Sequence, residues 1–404
     1  MQSNHPLKWK SLQFFKETNE SVPSSCNKVK QVRHIQKSDK IGYWKVYSRN
    51  YEDNVSNCHP YELDAISSDL YRFILGMSRA AKVCVLFDES TQKKEGSISY
   101  LNSQGFTEAN ELWKKYKKHY FWGERAEMAK LDRPKKIEGL PEEIFNTLTK
   151  EQKEKYVQKG IYVYPLPPGD PDSFSYEDEK AAEAQNVFAN ITETVNKYLY
   201  RDVLTPVNGM AEMEMAIGML NDKDNASHNF GLNNQDEISK IDYDWTLNDI
   251  MKRFFKFREF ERTKFHEISS MSIDELFKSR EEKISDNPVL AKRFYICQFR
   301  SLLLGNNNII TAICKRHTAS NELTNQVQTL MEEQTRKLNS NLMNSNGFKA
   351  FIKDITFEEL KDHFDTFFYH EKKHLSPDCT DLMSIIQEEF KNIQEKTKMV
   401  IFTP

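Results

Sequence analysis

Residues 219–245 read MLNDKDNASHNFGLNNQDEISKIDYDW, and the order of residue types in this stretch decides how the chain is organised. A helical segment over about 209–220 runs into a polar loop that holds Asp224 and, five positions on, Asn229. A short apolar run, Phe230-Gly231-Leu232, then meets a polar turn, Asn233-Asn234-Gln235-Asp236. A second run, Ile238–Ile241, ends on Asp242. Two short β-forming runs around an Asn- and Asp-rich turn predict a β-hairpin. The alternative for these side chains is that they serve only the turns, since Asn and Asp close turns through their own hydrogen bonds.

Upstream, the pattern changes to short β-forming runs. Lys28–Gln36 alternates as KVKQVRHIQ, Ser38-Asp39-Lys40 is turn-like, and Ile41–Ser48 reads IGYWKVYS, which predicts two strands. His59-Pro60 opens a helix over Tyr61–Leu75, with Leu63, Ile66, Leu70 and Ile74 on one stripe and Gly76 ending it. Lys82–Asp88 and Ser97–Leu101 are two further expected strands. Residues 1–27 are polar after LKWKSLQFF and are expected to form a loosely attached lead-in. Downstream, 106–160 reads as helical, with Pro141 suited to a first helical position and Thr149-x-x-Gln152 to a capping box. Residues 164–179, YPLPPGDPDSFSYEDE, can continue neither element type and read as a loop or insertion. A helix is expected over about 180–199, and everything from 246 onward reads as helix. Ser272-x-x-Glu275 and Thr356-x-x-Glu359 are capping boxes there, and Ser376-Pro377-Asp378 is a further start signal.

Lys45, YELDAISSDLYRFILG at 61–76, NFGL at 229–232 and KIDYDW at 240–245 together resemble the atypical protein-kinase-like type IV secretion effectors of Legionella, which include an inositol-hexakisphosphate-activated kinase. The resemblance covers about 28–250, is specific in 219–245, and is absent from the C-terminal third. It implies an α+β, bilobal fold: a small β-rich N-lobe over 28–105, a helical C-lobe over 106–300 containing the 164–179 insertion, and a helical C-terminal extension over 301–404. It also implies roles. Asp224 accepts the hydroxyl proton, Asn229 and Asp242 hold Mg²⁺ or Mn²⁺ on ATP, and Lys45 orients the phosphates. Glu62, at the start of the helix, pairs with Lys45, and Asp69 is the competing carboxylate. In the alternative reading Lys45 is an exposed strand residue and Glu62 complements the helix dipole. Three departures bear on activity: Ala226 stands where typical kinases carry a lysine, Asp222-Lys223 replaces His-Arg, and Asp244 replaces a glycine.

A phosphate-cradling glycine loop is missing. Lys37-Ser38-Asp39-Lys40 joins the first two expected strands, and Gly42 is the only glycine before Gly76. Without glycine the backbone cannot approach phosphates closely, so the site is expected to need another ligand to complete it. Two basic stretches are candidates to bind a compact polyanion: 114–119, KKYKKH, with Lys114, Lys115, Lys117 and Lys118, and 252–265, KRFFKFREFERTKF, with Lys252, Arg253, Lys256 and Arg258. The resemblance makes inositol hexakisphosphate the expected activator, gripped by converging charge-assisted hydrogen bonds. For either stretch alone, a solvated helix face is the simpler reading.

With 404 residues, 38% of them hydrophobic, the chain has ample material for a core. A net charge of −3 argues against a dedicated nucleic-acid binder, since no global field attracts a polyanion. No apolar run approaches the roughly 18–20 residues that span a bilayer, and no signal-peptide core is present. The six cysteines show no CxxC, as in a reducing compartment; Cys314 and His317 lack a second ligand pair. The aromatics of the C-terminal helices have core-like spacing, while related effectors carry phosphoinositide-binding domains in this position. The end of the chain, with Glu388, Glu389 and Glu395, looks like a type IV translocation signal. The expectation is therefore an ATP-dependent phosphotransferase acting on a host protein hydroxyl in the host cytosol, with a phosphoinositide membrane contact through the C-terminal region. The rivals are a small-molecule or lipid kinase and a catalytically dead scaffold or membrane-docking module.

Overall fold

The structure, a computed structural model, describes residues 9–18, 28–37, 41–46, 60–91, 93–100, 107–108, 120–124, 161–165, 209–223, 229–235, 237–243, 245–254, 271–284, 287–368 and 382–400. It is a mixed α+β fold: one main sheet toward the N-terminus, and helices over most of the rest.

The main sheet contains β1 (Trp9–Ser11), β2 (Phe15–Glu17), β3 (Lys28–His34), β4 (Ile41–Val46), β5 (Lys82–Phe87) and β6 (Lys94–Tyr100). Its six strands lie in the order β1-β5-β6-β4-β3-β2. Every neighbouring pair is antiparallel except β1 with β5, which run parallel with Trp9 opposite Val85. The four strands expected from the sequence are present, and β6 begins earlier than expected, at Lys94. The expectation for residues 1–27 needs correction, because Trp9–Glu17 is part of the sheet. A 3₁₀ turn at Leu12–Phe14 splits this segment into two three-residue strands, too short for a period-two signal to be read. Each nevertheless satisfies the backbone groups of an otherwise open edge.

Two smaller pairings overturn part of the helical expectation for 106–160. β7 (Thr107–Glu108) joins a three-stranded sheet with β10 (Phe230–Leu232) and β11 (Ile238–Lys240) in the order β11-β10-β7. β8 (Tyr120–Glu124) pairs antiparallel with β9 (Ile161–Pro165), so the start of the 164–179 stretch is strand. The paired Tyr, Phe, Trp, Ile and Val residues of β8 and β9 favour a pleated surface, and tertiary pairing overrides the local helical reading. The expected helix over 180–199 lies outside the described residues.

The helix α1 (Pro60–Leu75) follows β4, and every one of its residues except Tyr61 is buried. The sequence predicts one apolar stripe; the structure covers the remaining faces too, with the sheet on one side and helices on the other. Its polar side chains are accepted because they have partners. Ser68 Oγ donates to Ala81 O at 2.7 Å and accepts from Val83 N at 3.0 Å, stitching α1 to the start of β5. Gly76, at φ 110°, ends the helix in a conformation that a side chain would strain.

The helical body comprises α2 (Met210–Met219), α3 (Asn248–Phe254), α4 (Ile273–Ile284), α5 (Pro288–Leu303), α6 (Asn307–Lys315), α7 (Asn321–Asn344), α8 (Asn346–Asp354), α9 (Phe357–Phe368) and α10 (Leu382–Val400). Two of the three expected capping boxes form, with Ser272 N donating to Glu275 Oε2 at 2.9 Å and Thr356 N to Glu359 Oε2 at 2.9 Å; the third, at Thr149, lies outside the described residues. Residues beyond 300 share one buried core with α1 and α2. Phe73 of α1 packs 5.6 Å from Phe364, 5.2 Å from Phe367 and 6.2 Å from Phe368, centroid to centroid. The aromatics of α9 are thus core, and the described helices of 301–404 are built into the body. No helix among the described residues is long and apolar enough to cross a membrane.

Candidate functional site

The hairpin predicted from residues 229–242 is present. Phe230 lies opposite Lys240 and Leu232 opposite Ile238. Asn233 Oδ1 closes the turn by accepting from Gln235 N at 2.9 Å and Glu237 N at 3.0 Å. At the open end of the hairpin, Ile241 N donates to Asn229 O at 3.0 Å, so Asn229 and Asp242 flank the same backbone bond. The chain before the loop is zipped to the chain after the hairpin. Leu247 N donates to Leu220 O at 2.8 Å, Asn248 N to Asn221 O at 3.2 Å and Lys223 N to Trp245 O at 3.2 Å. Loop and hairpin therefore leave the body through one hydrogen-bonded base.

Lys45 reaches this base from the main sheet. It sits on β4 with Val29 opposite it on β3 and Ser97 opposite it on β6. Its Nζ lies 2.6 Å from Asp242 Oδ1, an oxygen that also accepts from Tyr243 N at 2.8 Å. The Lys45 side chain is 14% exposed and that of Asp242 29% exposed, so the pair is open to solvent on one side. Gly96 lets β6 lie close against the Lys45 backbone and the Trp44 indole. A Cβ there would lie 2.5 Å from Lys45 O and 2.5 Å from Trp44 Nε1. Its φ of 154° is one that side chains rarely adopt.

The helix carboxylate is where sequence spacing misleads. Lys45 was expected to pair with Glu62; instead, among the described residues, Lys45 pairs with Asp242 and Glu62 with Lys94 of β6. Asp64, also on α1, lies in the field of Lys45. It is 4% exposed and accepts from Ser97 Oγ at 2.6 Å, on the β6 residue directly opposite Lys45. Burial pushes the Asp64 carboxyl above its ordinary range; the Lys45 ammonium opposes that shift and the Asp242 carboxylate adds to it. Counting residues from Lys45 found the right element but not the partner that Glu62 takes. Asp69, the competing carboxylate, points into the helical body. There it meets Arg72 Nη1 at 3.2 Å, Arg316 Nη1 at 3.4 Å and His317 Nε2 at 3.0 Å.

Of the other expected site residues, Asn229 is 1% exposed. Asp224, Lys114, Lys115, Lys117, Lys118, Lys256 and Arg258 lie outside the described residues; Lys252 and Arg253 fall in α3. Among the described residues no group of three His, Cys, Asp or Glu side chains could hold a metal ion. Asn229 and Asp242 supply two hard oxygen donors, the type that suits Mg²⁺. Cys314 is buried, with its thiol pushed up to about 12 by desolvation, and the nearby His317 is turned to Asp69. The glycine-free connection also moves. β2 precedes β3, so the sequence between the first two strands of the antiparallel run is 18–27, TNESVPSSCN, which has no glycine either. Sequence reasoning missed Asp64, Lys94 and Gly96, none of which carries a local motif. Comparison of the chain with protein-family models and with curated proteins finds no match.

Proposed function

We propose that the chain is an ATP-dependent phosphotransferase with a bilobal, protein-kinase-like arrangement. The observation that carries this reading is the Lys45–Asp242 ion pair, which joins a mid-strand lysine to the carboxylate after the hairpin across 197 residues of sequence. The order of elements supports it. With β2 counted, Lys45 lies on the third strand of the antiparallel run, the carboxylate-bearing helix α1 follows, and two strands come after, as the phosphate-anchoring lysine of kinases is placed.

In this reading Lys45 and Asp242 exchange each other for the ligand: the ammonium takes the phosphates, and Asp242 with Asn229 takes Mg²⁺ or Mn²⁺. The metal, when bound, neutralises charge on the transferring group. Asp64 replaces Glu62 as the carboxylate that holds Lys45 in the cleft. Asp224 takes the proton of the acceptor hydroxyl as its oxygen bonds to the γ-phosphorus; the bond from phosphorus to the bridging oxygen breaks, and ADP leaves. The acceptor is a protein hydroxyl in the host cytosol, reached as a type IV effector. Inositol hexakisphosphate, held by Lys114–Lys118 or by Lys252–Arg258, completes the glycine-free site. The buried aromatics of α9 leave any phosphoinositide contact to other residues of 301–404.

Calorimetry with Mg-ATP tests the reading. Lys45→Met and Asp242→Ala should each abolish measurable affinity in a folded protein, whereas Asp224→Ala should keep affinity and lose transfer of the γ-phosphoryl group. Unchanged affinity in the first two removes the site. Turnover and melting temperature with and without inositol hexakisphosphate at low salt test activation, since an activator must shift both. A protein that binds Mg-ATP but never turns it over is the scaffold alternative.

A further inference from the structure

Behind Asp242 lies a charged cluster that the proposed reaction does not use. Asp222, 2% exposed, sits two residues before Asp224, and its Oδ2 accepts from three separate segments. Tyr71 Oη of α1 donates at 2.7 Å, Thr246 Oγ1 at 2.9 Å, and Lys240 Nζ of β11 lies 3.1 Å away. Lys240 is fully buried, with its ammonium 4.7 Å from the centroid of Phe230 and 5.9 Å from that of Tyr71. Its backbone is docked as well. Lys240 N donates to Arg79 O at 3.0 Å, and Ala81 N to Lys240 O at 3.0 Å, which ties the hairpin to the chain leaving α1. Tyr243 Oη closes the cluster by donating to Ala81 O at 3.0 Å and Lys240 O at 3.1 Å.

The placement is what makes this more than a buried pair. Asp222 is two residues from Asp224, Phe230 is next to Asn229, and Lys240 is two residues from Asp242. The cluster therefore touches the chain beside all three proposed loop residues, and through Tyr71 it reaches the helix that carries Asp64. A buried ion pair adds little net stability over apolar residues of the same volume. What it does supply is direction: one carboxylate oxygen with three donors permits one relative placement of α1, the loop and the hairpin.

We infer that Asp222 and Lys240 are positioning residues, whose buried ion pair fixes Asn229 and Asp242 against α1 and Lys45 so that the metal ligands are preset. The inference rests on the phosphotransfer reading for its chemistry and on the cluster's geometry for its structure. The test is the double variant Asp222→Asn/Lys240→Met, which removes both charges while keeping their volumes, so that no lone charge is left buried. Calorimetry compares ATP affinity with and without Mg²⁺, and hydrogen exchange follows the hairpin amides relative to those of α5 and α7. The metal-dependent gain in affinity should fall about tenfold or more, as when residues that orient metal ligands are lost. The metal-free affinity, carried by Lys45, should hold, and the hairpin amides alone should lose protection. A wild-type metal-dependent gain together with unchanged hairpin protection overturns the inference. If the wild-type protein shows no Mg-ATP affinity, the phosphotransfer reading fails, and the exchange measurement still decides whether the ion pair holds the hairpin. If the double variant does not fold, Tyr71→Phe/Thr246→Val removes two of the three donors with the ion pair intact. A smaller change in the same two readouts supports the inference, and none at all overturns it.

Discussion

The two halves of α1 treat buried charge in opposite ways. Near its start, Glu62 and Asp64 meet the sheet, at Lys94 and Ser97, and Asp64 lies in the field of a Lys45–Asp242 pair that solvent can reach. Near its end, Asp69 is fully buried and gathers Arg72, Arg316 and His317, with Arg316 itself stacked 4.4 Å from the Phe367 centroid. A pair open to solvent on one side can exchange partners when a charged ligand arrives. A carboxylate enclosed by two guanidinium groups and aromatic rings has no such exchange open to it. On the proposed reading, one helix thus carries a binding end and a holding end.

The sharpest way to break this contrast is at the holding end. Asp69→Ala leaves Arg72 and Arg316 buried without their carboxylate, and the expected loss is about 3–5 kcal/mol, read by denaturant unfolding. A loss below about 1 kcal/mol, the scale of an exposed pair, would mean that Asp69 is not the anchor.

Asp64→Asn should have the opposite signature. Asp64 is held above its ordinary range by burial, so its contribution to stability is present below 3.8 and is lost as pH rises through the folded value. The amide still accepts from Ser97 and escapes the desolvation cost, so stability at pH 7 should hold or rise while Mg-ATP affinity falls. A variant clearly less stable than wild type at pH 7 would show that Asp64 is structural rather than tuned for the site.

A smaller effect belongs to His363, also on the holding side. Its Nε2–H donates to Phe73 O at 2.9 Å, and burial, with Arg300 and Arg72 nearby, keeps it neutral well below the usual 6.5. Stability from this residue is present above pH 6.5 and is lost as pH falls, because the unfolded chain takes up the proton first. His363→Gln should flatten that acid limb in melting curves taken between about pH 7 and pH 5. An unchanged limb would assign it to other groups.

The smallest expected change is at Glu62. Its partner Lys94 keeps 17% of its side chain exposed and can turn to water. Glu62→Gln should cost about 1 kcal/mol and leave Mg-ATP affinity intact. A large affinity loss would restore the Lys45–Glu62 assignment at the expense of Asp64.

Much of this architecture was legible in local pattern. The alternation of Lys28–His34, the β-forming residues of Ile41–Val46, the apolar stripe of α1, the Asn233 turn and the capping boxes at Ser272 and Thr356 are all short-range features. They depend on periodicity or on hydrogen bonds within a few residues, and the structure contains each of them. Where the signal was short or the pairing distant, the reading failed. Trp9–Glu17 is too broken to announce two strands, and the strands of 107–108, 120–124 and 161–165 exist through their pairing.

Within the candidate site the division is similar. The sequence by itself determined that Asn229 and Asp242 flank a hairpin and that Lys45 lies in mid-strand, because chain connectivity and local turn chemistry leave few other arrangements. Only the tertiary structure decided that Lys45 meets Asp242, that Asp64 is buried on Ser97 in the field of both, and that Asp222 pairs with Lys240 of the hairpin. Those contacts depend on how α1 is rotated and on which edges of the sheet and hairpin come together, and packing across the whole chain sets both.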